Sequence, residues 1–240
     1  AARKAVNEMI SSGSKLSPDM SELNFVAGNL AYSAGDYADA AAKFAEADRL
    51  GSKNVDRLLL LAEADFKLNK FPEGLAAVDK AVNEETAAGR KAPESWYSRA
   101  ASIAYKSKNA SELGKWTRAQ VKAYPTAENW RSALVTYRDG ARIEGQQLLD
   151  LMRLMRLTKS LAGERDYYEY ASAAIDRALP GEAKATVEEG FASNAVTKAS
   201  RPINEILTMA NGKIAADRAS LTASEKLASG APTGKVAMGT

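Results

Sequence analysis

The 240-residue chain contains neither cysteine nor histidine. Those two absences remove all-cysteine and cysteine–histidine zinc sites, the Ser-His-Asp and Cys-His nucleophiles, and any disulfide. No apolar run approaches the ~20 residues needed to span a bilayer. Gly28, Gly35 and Gly51 are too scattered to form a phosphate-cradling loop. Charge of one sign is also lacking: 33 Lys/Arg face 30 Asp/Glu, for a net charge of +3. Both signs alternate along the chain, which argues against a strip that tracks phosphates. The absence of cysteine is compatible with an oxidising compartment. The chain opens on Ala1-Ala2-Arg3 rather than Met, the expected mark of an upstream piece processed or omitted.

What is abundant is alanine, 47 residues of it, the best helix former. Apolar residues recur at three- and four-residue spacing, and no segment alternates with period two, so the chain reads as all helix. Self-comparison at a shift of 34 aligns Gly28, Gly35-Asp36-Tyr37, Ala40, Phe44 and Ala47 with Ala62, Asn69-Lys70-Phe71, Gly74, Val78 and Ala81. Small residues meet small, turn meets turn and aromatic meets aromatic, without a gap. A third copy, after a four-residue insertion within 84–93, carries Trp96, Ala100, Ile103, Leu113, Trp116 and Ala119. A fourth runs from Trp130, Leu134 and Tyr137 through a turn near Asp139-Gly140 into an apolar helix over 148–157. A fifth holds Tyr167, Tyr170, Ala171 and Ala174, then Leu179-Pro180-Gly181 as its turn, then Ala183, Val187 and Gly190. Two antiparallel helices cannot bury both their apolar faces alone, so such units stack. Small residues mark the crossings, namely Gly28, Ala62, Ala100 and Ala171 on first helices and Ala40, Gly74 and Ala183 on second ones.

This 34-residue helix-turn-helix pattern resembles the tetratricopeptide repeat. The resemblance implies a right-handed superhelical α-solenoid of antiparallel pairs with about five repeats, at 21–54, 55–92, 93–126, 127–163 and 164–198. Residues 1–20 read as the second helix of a preceding, truncated repeat plus a loop. Residues 199–240 read as two further helices, over 203–216 and 222–228, leading through 234–240 into another truncated repeat. A narrower likeness to long exported tetratricopeptide proteins of alphaproteobacteria rests on Pro93-Glu94-Ser95-Trp96-Tyr97, Ala123-Tyr124-Pro125, 149–156 and Leu179-Pro180-Gly181-Glu182. It implies a periplasmic or outer-membrane-associated location, with the cytoplasm as alternative.

In such a solenoid the first helices line a concave surface. Helical spacing points Phe25, Asn29, Tyr32, Leu59, Glu63, Phe66, Tyr97 and Tyr105 toward it, with Glu22, Asp56, Glu94 and Ala101 beside them. Arg131, Arg138, Arg165 and Tyr168 follow in later units. Rings beside amides and carboxylates suit an extended or helical peptide. The expected function is a non-catalytic scaffold for a protein or peptide segment, without cofactor, metal, nucleic acid or membrane insertion. A structural envelope subunit using its convex face or its ends is the alternative. The carboxylate clamp of chaperone-binding relatives is disfavoured, because Asn29 fits but Phe25, Leu60, Glu94 and Ser98 stand where cations and amides are required. Glu164, Asp166 and Glu169 are the carboxylates that a glycosidase reading would need. An RNA-binding repeat array is disfavoured by its 35-residue period. The apolar stretch Leu148 to Leu157 reads as core rather than as a membrane-binding helix.

Overall fold

The computed structural model describes residues 2–12 and 19–230, and among these it has twelve α-helices and no strand. They group into two compact units, Ala1–Pro125 and Thr126–Thr240. The first holds α1 (Ala2–Ser11), α2 (Met20–Ser33), α3 (Tyr37–Arg49), α4 (Asp56–Lys67), α5 (Phe71–Ala87), α6 (Glu94–Lys106) and α7 (Ala110–Ala123). The second holds α8 (Ala127–Ala141), α9 (Gly145–Leu157), α10 (Gly163–Asp176), α11 (Pro180–Ala192) and α12 (Arg201–Gly230).

Local chemistry explains where the helices start and stop. Asp36 and Asn109 cap α3 and α7 by accepting the backbone N–H of Asp39 and Glu112, each at 3.1 Å. Such caps satisfy amides that have no partner inside the helix. Pro72 and Pro180 sit in the first turns of α5 and α11, where a missing N–H costs nothing. Gly35 ends α2 with φ +78°, a left-handed backbone that glycine adopts without a Cβ penalty.

Consecutive helices pack as antiparallel hairpins, and their close approach depends on small residues. Ala40, Ala62, Ala100, Ala171 and Ala183 are all essentially inaccessible. A Cβ on Gly28 would stand 2.6 Å from the Phe44 ring, and one on Gly74 would stand 2.4 Å from the Phe66 ring. The two pairs thus use the same lock with its halves exchanged. In the first, the second helix supplies the ring; in the next, the first helix does. Gly190 on α11 repeats the device against Tyr167 of α10, 2.9 Å away. Burying a ring such as Phe44 contributes roughly 1.5–3 kcal/mol.

Ion pairs tie one hairpin to the next. In the 1–125 unit, Asp48 of α3 accepts from Lys80 of α5 at 2.5 Å, and Asp79 of α5 pairs with Lys115 of α7 at 3.2 Å. Arg57 of α4 is buried, reaching Asp48 at 2.9 Å and Glu84 at 2.8 Å and donating to the Asn54 carbonyl. Arg3 of α1 reaches Asp36 and Asp39 at the start of α3, at 2.6 and 2.8 Å. In the 126–240 unit, Arg153 and Arg156 of α9 reach Glu182 and Glu189 of α11 at 2.6 and 2.7 Å. Leu149, Met152 and Met155 of α9 are buried with Tyr167, Tyr170, Val187 and Ile203, so the apolar stretch 148–157 is mainly core.

Two expectations from the sequence are corrected. The turn of the fourth pair lies at 142–144, after Asp139 and Gly140, which remain helical in α8; Arg142 takes the left-handed backbone there. The two helices expected over 203–216 and 222–228 are one, α12, of 30 residues. No proline interrupts that alanine-rich run, and the lone mid-helix Gly212 costs only ~1 kcal/mol, too little to break it. The helix start expected over 234–240 lies outside the described residues.

Candidate functional site

In the 1–125 unit the open arcs of the first helices are set by a period of 3.6 residues. Core residues claim one side of each helix, leaving Glu22 and Val26 exposed on α2, Asp56 and Lys67 on α4, and Ser95, Ser98, Arg99, Ser102 and Tyr105 on α6. Three of these helices contribute to one polar row. Glu63 of α4 accepts from the Arg99 guanidinium of α6 through both oxygens, at 2.7 and 2.6 Å, and both side chains remain open to solvent. The guanidinium lies 5.7 Å from the centroid of the Phe66 ring, which fills the space beneath it. Tyr32 of α2 feels both charges: burial first, then the Glu63 carboxylate, raises its phenol pKa. The hydrogen bond to Glu63 likewise raises the Arg99 pKa. Tyr32 meets Tyr37 edge-on at 5.2 Å, and the Lys67 ammonium stands 5.8 Å from the Tyr37 centroid.

The residues expected from the sequence divide accordingly. Tyr32, Leu59 and Glu63 are half-buried with accessible parts, and Tyr105 is 73% exposed. Tyr105 and Arg99 stand at the two edges of the open arc of α6, about 120° apart by the helical step. Phe25 is half-buried with its ring tilted 5.9 Å from Phe44, and Asn29 donates to the Phe25 carbonyl within its own helix. Two expectations fail as accessible contacts. Phe66 is 7% exposed because Gly74 gives its ring a seat on α5. Tyr97 is 5% exposed because its ring packs edge-on against Trp116 and Tyr124, at 6.3 and 6.2 Å. The face is therefore more charged and less aromatic than spacing suggested. Arg99 and Lys67 went unnoticed in the sequence. The available signal was opposite charge one repeat apart, with Glu63 followed 36 residues on by Arg99.

In the 126–240 unit the carboxylates of the glycosidase reading are engaged by neighbours. Asp166 is buried, accepting from Arg131, from Arg138 at 3.4 Å and from the Ala162 backbone N–H at 2.9 Å. Glu169 pairs with Arg138 at 3.1 Å, and Glu164 accepts from the Ser200 hydroxyl at 2.7 Å. Burial, aided by a 2.7 Å bond to Glu182, pushes the Tyr170 phenol up to about 12. Arg153 in turn holds the Glu182 carboxyl below its ordinary value. Beside this network lies a cleft of about 360 Å³, lined by Gly145 and Leu148 of α9 and by Arg165, Tyr168, Glu169, Ser172, Ala173 and Asp176 of α10, with Arg177 just beyond. Among the described residues no cluster of acidic side chains could hold a metal ion, and no helix is long and apolar enough to cross a membrane.

No family model matches the sequence, and no curated protein matches it. Similarity appears among solved structures. The structure of Naa15/Naa10 bound to HypK-THB aligns with 99% of this chain at 15% identity and a TM-score of 0.55, and this chain spans 36% of the length of the matched one. YrrB, described as a TPR protein with an unusual peptide-binding site, aligns with 88% of the chain at 11% identity and a TM-score of 0.41, with 99% of its own chain covered. MamA 41-end from Desulfovibrio magneticus RS-1 aligns with 72% at 15% identity and a TM-score of 0.40, with 93% of its own chain covered. At such identities the likeness is one of fold. Second helices that begin at Tyr37, Phe71, Ala110, Gly145 and Pro180, each packed in a pair with a first helix, together with this likeness of fold make the chain all-α, built within each unit from stacked helix pairs of the tetratricopeptide-type solenoid class.

Proposed function

We propose that this chain is a non-catalytic protein-interaction scaffold that binds an extended or helical partner segment on its first-helix face. The observation that carries the reading is the row of Tyr32, Glu63 and Arg99, which brings side chains from α2, α4 and α6 together above the seated Phe66 ring. A row shared by three successive first helices offers pre-ordered donors, acceptors and a ring edge to a segment lying across them, so little ordering cost remains at binding. The fold likeness to a structure in which Naa15/Naa10 is bound to HypK-THB supports the same class of role. For its location we propose a bacterial envelope, at the periplasm or outer membrane, with the cytoplasm as the alternative; the proposal rests on the sequence resemblance alone.

The test begins with the partner recovered by the intact chain and compares variants against it by titration. Tyr32→Ala and Arg99→Ala should each weaken the complex about tenfold or more, as central interface residues do. Arg156→Ala, on a second helix, should leave it within about twofold. Full affinity in both first-helix variants, with folding intact by circular dichroism, would reject the reading. A second reading, a structural subunit docking through second helices, is favoured by Leu157, which is 80% exposed at the end of α9. It would be supported by loss of the complex in Leu157→Ser alone.

A further inference from the structure

In the 126–240 unit, Arg131, Arg138, Arg153 and Arg156 each reach a carboxylate on a neighbouring helix. Arg165 and Arg177 do not; neither is paired with a carboxylate among the described residues, and both line the 360 Å³ cleft. Gly145 makes room for the second of them. A Cβ at that position would fall 2.2 Å from the Arg177 Nη2 atom, so the guanidinium packs directly over the Gly145 backbone and would have to shift to admit a side chain there. Between the two cations the floor is apolar, formed by Leu148, Tyr168 and Ala173. Glu169 and Asp176 also line the cleft, but Glu169 is already neutralised by Arg138. The remaining charges are those of Arg165, Arg177 and Asp176, an excess of one positive charge.

Spacing restricts what can satisfy both arginines. Their backbone positions lie twelve residues apart along the helical direction of α10, about 18 Å at 1.5 Å per residue. The Arg177 guanidinium packs against Gly145 at the start of α9, so a ligand that meets both arginines runs along the cleft. An extended chain covers ~18 Å in about five to six residues at 3.3 Å each. Successive nucleic-acid phosphates would gain nothing from the apolar floor. We propose that this cleft binds an extended acidic segment of a partner protein, with a carboxylate at each end on Arg165 and Arg177 and an aliphatic side chain on the Leu148–Ala173 floor. Each guanidinium supplies the paired N–H donors that match a carboxylate. The assignment rests on the scaffold reading above and adds to it the chemistry of the bound segment.

The experiment uses the intact chain and a dye-labelled hexapeptide, Glu-Ser-Leu-Leu-Ser-Glu, read by fluorescence anisotropy. Comparison peptides carry Gln or Lys in place of both Glu residues, or bring the two Glu residues next to the Leu pair. The original should bind at least tenfold more tightly than each comparison peptide. Arg165→Gln and Arg177→Gln, which change exposed side chains, should each weaken it about tenfold, while Arg153→Gln should not. Equal binding of the Gln peptide, or unchanged affinity in both cleft variants, overturns the assignment. Binding that instead falls in Arg99→Ala alone removes the cleft but leaves the scaffold reading standing. Absence of binding by every peptide overturns the cleft assignment, and the scaffold reading is then decided by the partner titration above. Displacement by oligothymidylate that depends on Arg165 would replace the peptide with a nucleic acid and likewise overturn it.

Discussion

Gly74→Ala tests whether the hairpin lock is set by a missing methyl group. Alanine is the better helix former by ~1 kcal/mol, so helix propensity alone makes the variant more stable. The structure opposes this. The new Cβ would stand 2.4 and 2.6 Å from two carbons of the Phe66 ring and 3.0 Å from the Ala62 carbonyl oxygen. The carbonyl belongs to helix backbone and cannot yield, and the ring is held from the other side by Arg99. Overpacking of this kind costs ~1–3 kcal/mol, and a contact against backbone belongs in the upper half of that range. Subtracting the propensity gain leaves a net loss of about 1–2 kcal/mol. Urea unfolding followed by tryptophan fluorescence in a Trp130→Phe background reports on the 1–125 unit, through Trp96 and Trp116. Gly114→Ala is the control in the same unit, because its Cβ meets only the mobile end of Arg118 at 3.0 Å. That variant should gain ~0.5–1 kcal/mol. In a Phe66→Leu background the Gly74→Ala penalty should largely vanish, giving a coupling of about 1–2 kcal/mol. A Gly74→Ala protein as stable as the Gly114→Ala protein would refute the lock.

Further expectations follow from buried polar groups. Arg57→Met should cost about 2–3 kcal/mol in the same urea assay, since it removes the cation at Glu84, the donor to the Asn54 carbonyl and one of the two cations on Asp48, which keeps Lys80; Arg57→Lys should recover only part. Burial raises the Asp65 carboxyl pKa above its ordinary 3.8, so the folded state binds this proton more tightly than the unfolded one. Its stabilising contribution is complete below pH ~3.8 and fades as pH rises through the higher folded value. Asp65→Asn should therefore raise stability at neutral pH and steepen the acid limb of a thermal-unfolding series, because the offsetting gain from protonating this carboxyl is gone. Tyr170, pushed up to about 12, should be among the last phenols to ionise in a spectrophotometric titration. Its contribution is complete below pH ~10 and lost as pH rises through about 12. Tyr170→Phe should remove the bond to Glu182 at a cost of about 1–2 kcal/mol. Tyr97→Ala should cost ~3–5 kcal/mol through the cavity it leaves, whereas Tyr105→Ala should change stability by less than about 0.5 kcal/mol.

Fold was legible where residue size repeats at fixed spacing. Gly28 with Ala40, Ala62 with Gly74, and Ala171 with Ala183 stand at crossings because only small residues let the axes approach, and that requirement is written in the sequence. Helix ends without such a requirement were not legible. Arg142 takes a left-handed backbone that no residue type announces, so the fourth turn was displaced by about three residues. The join within α12 carries no proline, and Thr222 stands three residues before Glu225 as in a capping box, which marks a helix start in the sequence. In the structure the Thr222 hydroxyl instead bonds the Arg218 carbonyl inside one continuous helix. The site was legible only in part. Spacing locates first-helix residues on an arc, but it does not say whether a ring at the edge of that arc lies outward or sinks inward. Phe66 sinks because a glycine one helix away receives it, and Tyr97 sinks because Trp116 and Tyr124 offer ring edges. Those partners come from other segments, so the decision belongs to tertiary packing. The Arg165–Arg177 cleft escaped for the same reason, since its other wall belongs to α9.

Central to this account is that partners meet the first-helix face, with α9 adding only Gly145 and Leu148 at its start to the cleft beside α10. Photo-crosslinking tests this directly, with benzoylphenylalanine placed in turn at Tyr105 on α6 and at Leu157 on α9, two highly exposed positions on opposite members of their pairs. In the native cell, Tyr105 should yield a discrete adduct that Arg99→Ala diminishes, and Leu157 should yield none. A discrete adduct at Leu157 with none at Tyr105 would contradict the account.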